Sequence, residues 1–326
     1  MKKLLWMGGS ILWLFVIGLI ADQIPRDSAQ ITGPVFKNDN ITMYRNITYS
    51  KIHDSQLDIL MPKKVKKGDK LPLILWTHGG GFIAGDKKHK NPYLAQLAEK
   101  GFIIANMNYA LAPEYQYPTP IKQQIAAAGY MMRNTLRLPL DKTQIVIGGD
   151  SAGAQLASQF AAIQTNPLLR KEMAVSQSFS QSQLKAVILF GGFYDMNSVR
   201  ATKFPRINLF MESYTGEADW EKNFLPLDQM STVKQVTAKY PPTFLTVGDA
   251  DPFDSQGKEL VAVLKKNQVP YKTAFFDRTH RLPHQYQFHM QLKESQLTYQ
   301  QLLMFLGRYT NQVPYDAGTK GTGAGI

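Results

Sequence analysis

The chain has 326 residues, 44% apolar and 19% charged, a balance that excludes intrinsic disorder and suits one large α/β domain or two small ones. Its formal net charge of +12 favours anionic surroundings such as lipid head groups or an acidic cell envelope. Cysteine is absent, which excludes disulfides, thiolate metal sites and cysteine nucleophiles.

At the amino end, Lys2 and Lys3 precede an apolar run over residues 4–20. About 17 residues at 1.5 Å each reach roughly 26 Å, close to the lower limit for crossing a bilayer. A cleaved secretory signal would need a small residue where Leu19 stands before Ala21, so an uncleaved anchor over 1–21 is expected in preference. The two lysines ahead of the span keep the short end in the cytoplasm and send the rest outward. The expected location is therefore a single-pass membrane protein with its folded part outside the cytoplasm; secretion after cleavage is the alternative.

Residues 22–45 are polar and read as a lead-in. From there short apolar runs alternate with amphipathic stretches. Strands are expected at 73–77, 102–106, 145–147, 186–190, 244–247 and 272–276, and helices at 92–100, 119–136, 152–164, 255–267 and 293–309. Strands separated by helices argue for βαβ units and a mostly parallel sheet. Continuous Val/Ile/Leu runs, rather than alternating ones, argue for strands buried on both faces. Residues 196–240 break the rhythm and are too long for a simple loop, so they read as a small inserted cap within a 46–310 domain. Phe204, Phe210, Tyr214 and Trp220 there either line an apolar pocket or pack the cap. The tail over 311–326 is rich in Gly and Thr and reads as flexible. Basic residues cluster at Lys63, Lys64, Lys66, Lys67 and Lys70 and again at Lys87, Lys88 and Lys90, without interleaved aromatics, so no nucleic acid is expected as a partner.

Two segments carry the chemistry. The first is His78-Gly79-Gly80-Gly81-Phe82, directly after a strand. Glycines let backbone N–H groups approach a developing oxyanion closely, and no Lys-Ser/Thr pair follows to suggest a phosphate loop. The second is Gly149-Asp150-Ser151-Ala152-Gly153, between a strand and a helix, which is the setting of a nucleophile elbow. Gly80, Gly81 and Ala152 are the natural oxyanion donors. A serine needs a histidine base, itself held by a carboxylate, and in this arrangement the order is Ser, acid, His. His284 is the leading base, with His280 as its rival, and His289 reads as structural. Asp251 is the leading acid, with Asp249 and Asp254 as rivals.

The His-Gly-Gly-Gly-Phe run, the Tyr109-Ala110-Leu111-Ala112-Pro113-Glu114 segment with Tyr117-Pro118, and the Gly-Asp-Ser-Ala-Gly elbow together resemble the hormone-sensitive-lipase-like esterases of the α/β-hydrolase superfamily. The likeness runs over about residues 45–310. It implies an α/β-hydrolase fold, a triad of Ser151, Asp251 and His284, an oxyanion hole at Gly80, Gly81 and Ala152, and hydrolysis of small or lipid-like carboxylic esters with short or medium acyl chains. It also implies no cofactor or metal, and a cap over the site. The alternatives are a serine peptidase or amidase of the same fold and a non-catalytic binding protein. Two positions depart from the family pattern: Phe253 where Asp-Pro-Leu is usual, and Gln285-Tyr286 where Gly-Phe usually follows the histidine.

Overall fold

A computed structural model describes residues 37–310. The expected membrane anchor and the expected flexible tail lie outside these residues. Among the described residues no helix is long and apolar enough to cross a membrane.

Eight strands form one sheet: β1 (Ile41–Thr48), β2 (Gln56–Pro62), β3 (Leu71–Thr77), β4 (Ile103–Met107), β5 (Leu140–Asp150), β6 (Leu184–Phe190), β7 (Thr243–Thr246) and β8 (Tyr271–Ala274). Their spatial order is β1-β2-β4-β3-β5-β6-β7-β8. The pairs β1/β2 and β2/β4 are antiparallel; every other pair is parallel. The helices are α1 (Asn91–Glu99), α2 (Thr119–Arg133), α3 (Ala152–Thr165), α4 (Pro167–Glu172), α5 (Ile207–Thr215), α6 (Trp220–Asn223), α7 (Leu227–Met230), α8 (Thr232–Gln235), α9 (Asp254–Lys266) and α10 (Lys293–Thr310).

The sheet divides the core in two. On β3, Leu73 and Leu75 join one apolar cluster while Ile74 and Trp76 join the other. On β6, Val187 and Leu189 face one side and Ile188 and Phe190 the other. Successive side chains point to opposite faces, so a strand covered on both sides must be apolar throughout. This is why β3 reads as the unbroken run LPLILWT, buried along its whole length.

The antiparallel edge escapes that pattern. β1 mixes buried, half-buried and exposed positions, as an edge strand with one solvated side should, and it begins at Ile41, within the stretch read as lead-in. Elsewhere the boundaries shift by a few residues. β5 extends well beyond 145–147. α2 stops at Arg133 because Asn134 turns left-handed (φ 52°) and its side chain exchanges hydrogen bonds with the backbone of Leu138.

Between β6 and β7 the chain carries α5 to α8. This insertion packs on α3, every residue of which is buried. Gln155 Nε2 donates to Met230 O at 2.9 Å, Ser158 Oγ lies 2.6 Å from Thr232 Oγ1, and Tyr240 donates its hydroxyl to Ser158 O at 3.0 Å.

Candidate active site

β5 ends at Asp150 and α3 starts at Ala152, leaving Ser151 alone in the bend with φ 54° and ψ −123°. A non-glycine residue there is strained by about 1–3 kcal/mol and persists only where the surroundings over-determine it. They do. A Cβ on Gly153 would come within 2.1 Å of Thr77 O, and one on Gly149 within 2.3 Å of Gly153 O. Strand and helix can approach this closely only without side chains at those two places, and the approach thrusts the serine outward. Its hydroxyl stands at the amino end of α3, where the helix dipole favours developing negative charge.

The glycine loop after β3 wraps beside it. Gly80 O accepts from the N–H groups of Ile83 and Ala84 at 3.2 and 3.0 Å, closing a tight turn with Gly80 at φ 125°. Phe82 then dives into the core, stacked on Tyr214 at 3.9 Å between ring centroids. Gly79 N–H is already engaged with Asp150 Oδ2 at 3.1 Å. The N–H groups of Gly80, Gly81 and Ala152 have no acceptor among the described residues.

The histidine and the acid arrive from the loops after β8 and β7. His284 Nε2 lies 3.0 Å from Ser151 Oγ, and His284 Nδ1 lies 2.7 Å from Asp251 Oδ2. The Asp251 side chain is fully buried, and its other oxygen accepts from Phe253 N at 2.9 Å. With Nδ1–H directed at Asp251, the Nε2 lone pair would face the serine.

The rival residues lie elsewhere. His280 is exposed beside Asp277 (3.2 Å) and makes no contact with Ser151. His289 is exposed too. Asp254 pairs with Lys258 and Arg278 on the surface. Asp249 accepts from His280 N at 2.9 Å and Leu282 N at 2.6 Å, pinning the loop that leads into His284. Burial works to raise its carboxyl, but these bonds and one from Arg281 N outweigh it, and its pKa falls below the ordinary aspartate value.

The insertion contributes aromatic walls. Phe204 meets His284 edge-on at 4.8 Å and stacks on Phe253 at 4.2 Å. Phe210 lies against Gly81, where an added Cβ would sit 2.6 Å from the ring. Both phenylalanines are half-buried, whereas Tyr214 and Trp220 are wholly buried and pack the interior. Sequence reasoning could not separate these pairs, because an aperiodic segment does not reveal which rings turn inward. Gly191 was also missed; a Cβ there would meet Asp251 Oδ2 at 3.2 Å and the His284 ring at 3.4 Å.

His78 heads the glycine loop but stays out of this constellation. It is buried, stacked on Tyr109 at 4.5 Å, and its Nδ1 bonds Gly79 O at 2.7 Å. Burial lowers its pKa from 6.5 to about 4, overcoming the opposing pull of the Gly79 carbonyl and Asp150. The folded chain therefore refuses a proton that the unfolded chain accepts. Stability from this residue is whole above about pH 6.5 and is lost as the pH falls toward about 4, by roughly 3 kcal/mol. Urea unfolding at pH 7 and pH 4 should show a smaller acid loss in His78→Asn than in wild type. Equal losses would mean that His78 is protonated in the folded protein.

Comparisons with known proteins agree with this architecture. The family model described as BD-FAE matches residues 57–264. An esterase of Gibberella moniliformis is 28% identical over 202 residues, which cover 57% of this chain and 59% of that protein. Carboxylesterase NlhH of Mycobacterium tuberculosis is 30% identical over 118 residues, 36% of each chain. The chain thus spans less than two thirds of the length of these curated relatives. Esterase B of Lactobacillus rhamnosis superposes with a TM-score of 0.77 at 21% identity, covering 93% of this chain and 96% of that one. That likeness establishes the α/β-hydrolase fold.

Proposed function

We propose that this chain, which belongs to the BD-FAE family, is a serine hydrolase of carboxylic esters. The observation that carries the reading is the relay Ser151 Oγ to His284 Nε2 at 3.0 Å and His284 Nδ1 to Asp251 Oδ2 at 2.7 Å. The names of the esterase relatives point the same way.

In the cycle, His284 takes the Ser151 proton as the oxygen attacks the ester carbonyl. The carbonyl oxygen becomes an oxyanion that accepts from the N–H groups of Gly80, Gly81 and Ala152. Each such donor is worth about 3 kcal/mol in the transition state, because it is aimed in advance and need not reorganise. His284 then hands its proton to the leaving alcohol. Water attacks the acyl-enzyme by the same route, losing a proton to His284, which returns it to Ser151 Oγ as the ester bond breaks and the acid leaves. Asp251 stabilises the imidazolium in both halves. No metal or cofactor is needed for either step.

The segment between β6 and β7 acts as the cap in this reading, with Phe204 and Phe210 limiting the room for the acyl and alcohol groups. Esterase B, one of the structural neighbours, is known in a form inhibited by a C4-C4 tributyrin phosphonate. The test is a series of p-nitrophenyl esters from acetyl to dodecanoyl, with matched anilides, on the purified full chain. Esters with short acyl groups should be cleaved fastest, and anilides at least about a hundredfold more slowly. Equal rates on anilides would replace the ester reading by an amidase one.

A further inference from the structure

Asp150, the residue before the nucleophile, takes no part in the chemistry above, yet its side chain has no exposure at all. A buried carboxylate is tolerated only when donors surround it. Four do: Trp76 Nε1 at 3.1 Å, Gly79 N at 3.1 Å, Lys90 Nζ at 3.0 Å and Gln285 Nε2 at 2.6 Å. They come from four separate places, namely β3, the glycine loop, the residue before α1, and the loop that carries His284.

Gln285 is the informative member. It follows His284 directly, and its backbone is left-handed, with φ 59°. Its amide works in both directions, donating to Asp150 while accepting from Lys90 Nζ at 3.2 Å. Lys90 is itself steadied 4.0 Å above the Phe288 ring, three residues further along the same loop. One carboxylate therefore ties together the nucleophile bend, the oxyanion loop and the histidine loop. At this position the usual esterase pattern has a glycine, which has no side chain to make either contact.

We propose that Gln285 is a positioning residue: by binding Asp150 and Lys90 it sets the alignment of His284 Nε2 on Ser151 Oγ. The proposal rests on the serine hydrolase reading. An amide that holds a base in register affects the rate of proton transfer rather than the affinity for an ester. A misplacement of about 1 Å in a reacting group lowers rates by roughly a hundredfold.

The test compares wild type, Gln285→Met and Ser151→Ala on a p-nitrophenyl ester, with active sites counted by fluorophosphonate labelling. Gln285→Met keeps the length but loses both polar contacts. Its kcat per labelled site should fall by about tenfold to a hundredfold with KM within about twofold. Where that variant does not fold, Gln285→Asn retains the amide but is one methylene too short, and the same fall is expected. Wild-type kcat in the folded variant overturns the proposal, as does a lowered melting temperature with kcat per site unchanged, which is the mark of a merely structural tie. Ser151→Ala separates the two levels. Loss of activity there with Gln285→Met unaffected overturns this inference alone, whereas an active Ser151→Ala overturns the hydrolase reading beneath it.

Discussion

Ser151→Ala should lower kcat on an ester by about a millionfold, His284→Ala should do the same, and the double variant should be no slower than either. A hydroxyl is a poor nucleophile until a base removes its proton, and a base without a hydroxyl has nothing to activate. The 3.0 Å contact between Ser151 Oγ and His284 Nε2 makes the two side chains one device. Either deletion leaves the same remainder, the backbone donors and the binding site, worth roughly a thousandfold to ten-thousandfold over water. Stopped-flow or overnight hydrolysis of a p-nitrophenyl ester, with a fluorophosphonate probe to exclude contaminating hydrolases, measures all three. Losses that add between the single variants would mean that the serine and the histidine act independently.

Asp251→Asn should lower kcat by about ten-thousandfold while leaving the fold intact. The asparagine oxygen can still accept from Phe253 N, as Asp251 Oδ1 does at 2.9 Å. What changes is the partner of His284 Nδ1. An amide N–H in that place asks the ring to accept there, which moves the ring proton to Nε2 and takes the lone pair away from Ser151. The buried negative charge that steadies the imidazolium also goes. Asp249→Asn is the contrast, because that carboxylate binds backbone N–H groups of the same loop rather than the ring. Its kcat should stay within about threefold of wild type, with stability reduced by roughly 1–2 kcal/mol. The stability that Asp249 lends is present above about pH 4 and is lost as acid protonates it. Should Asp249→Asn prove the inactive variant and Asp251→Asn the active one, the acid has been assigned to the wrong residue.

Much of the fold was legible because burial on both faces leaves an unambiguous imprint. The runs that became β3, β4 and β6 contain few polar residues, and no helix of comparable length needs such a run. β1 and β2 left no such imprint. Tyr44 and Arg45 face solvent on β1, and Asp58 on β2 is buried only because Asn46 N–H, Asn91 and Lys87 surround it. The serine bend and glycine loop were visible because steric demands restrict the residue types there. The Gln285 contacts were not, since a glutamine carries no sign of what it will bind. Its partner Lys90 is 195 positions away in sequence, and only the folded sheet brings them together. The same holds for Phe204 and Phe253, whose stacking joins the insertion between β6 and β7 to the residue that follows Asp251-Pro252.

The backbone of Ser151 sits where glycine would be at ease. A glycine there would relieve that tension and discard the hydroxyl in the same stroke, so on the proposed mechanism the sturdier protein would also be the inert one. Selection for durability alone would therefore push this site toward silence.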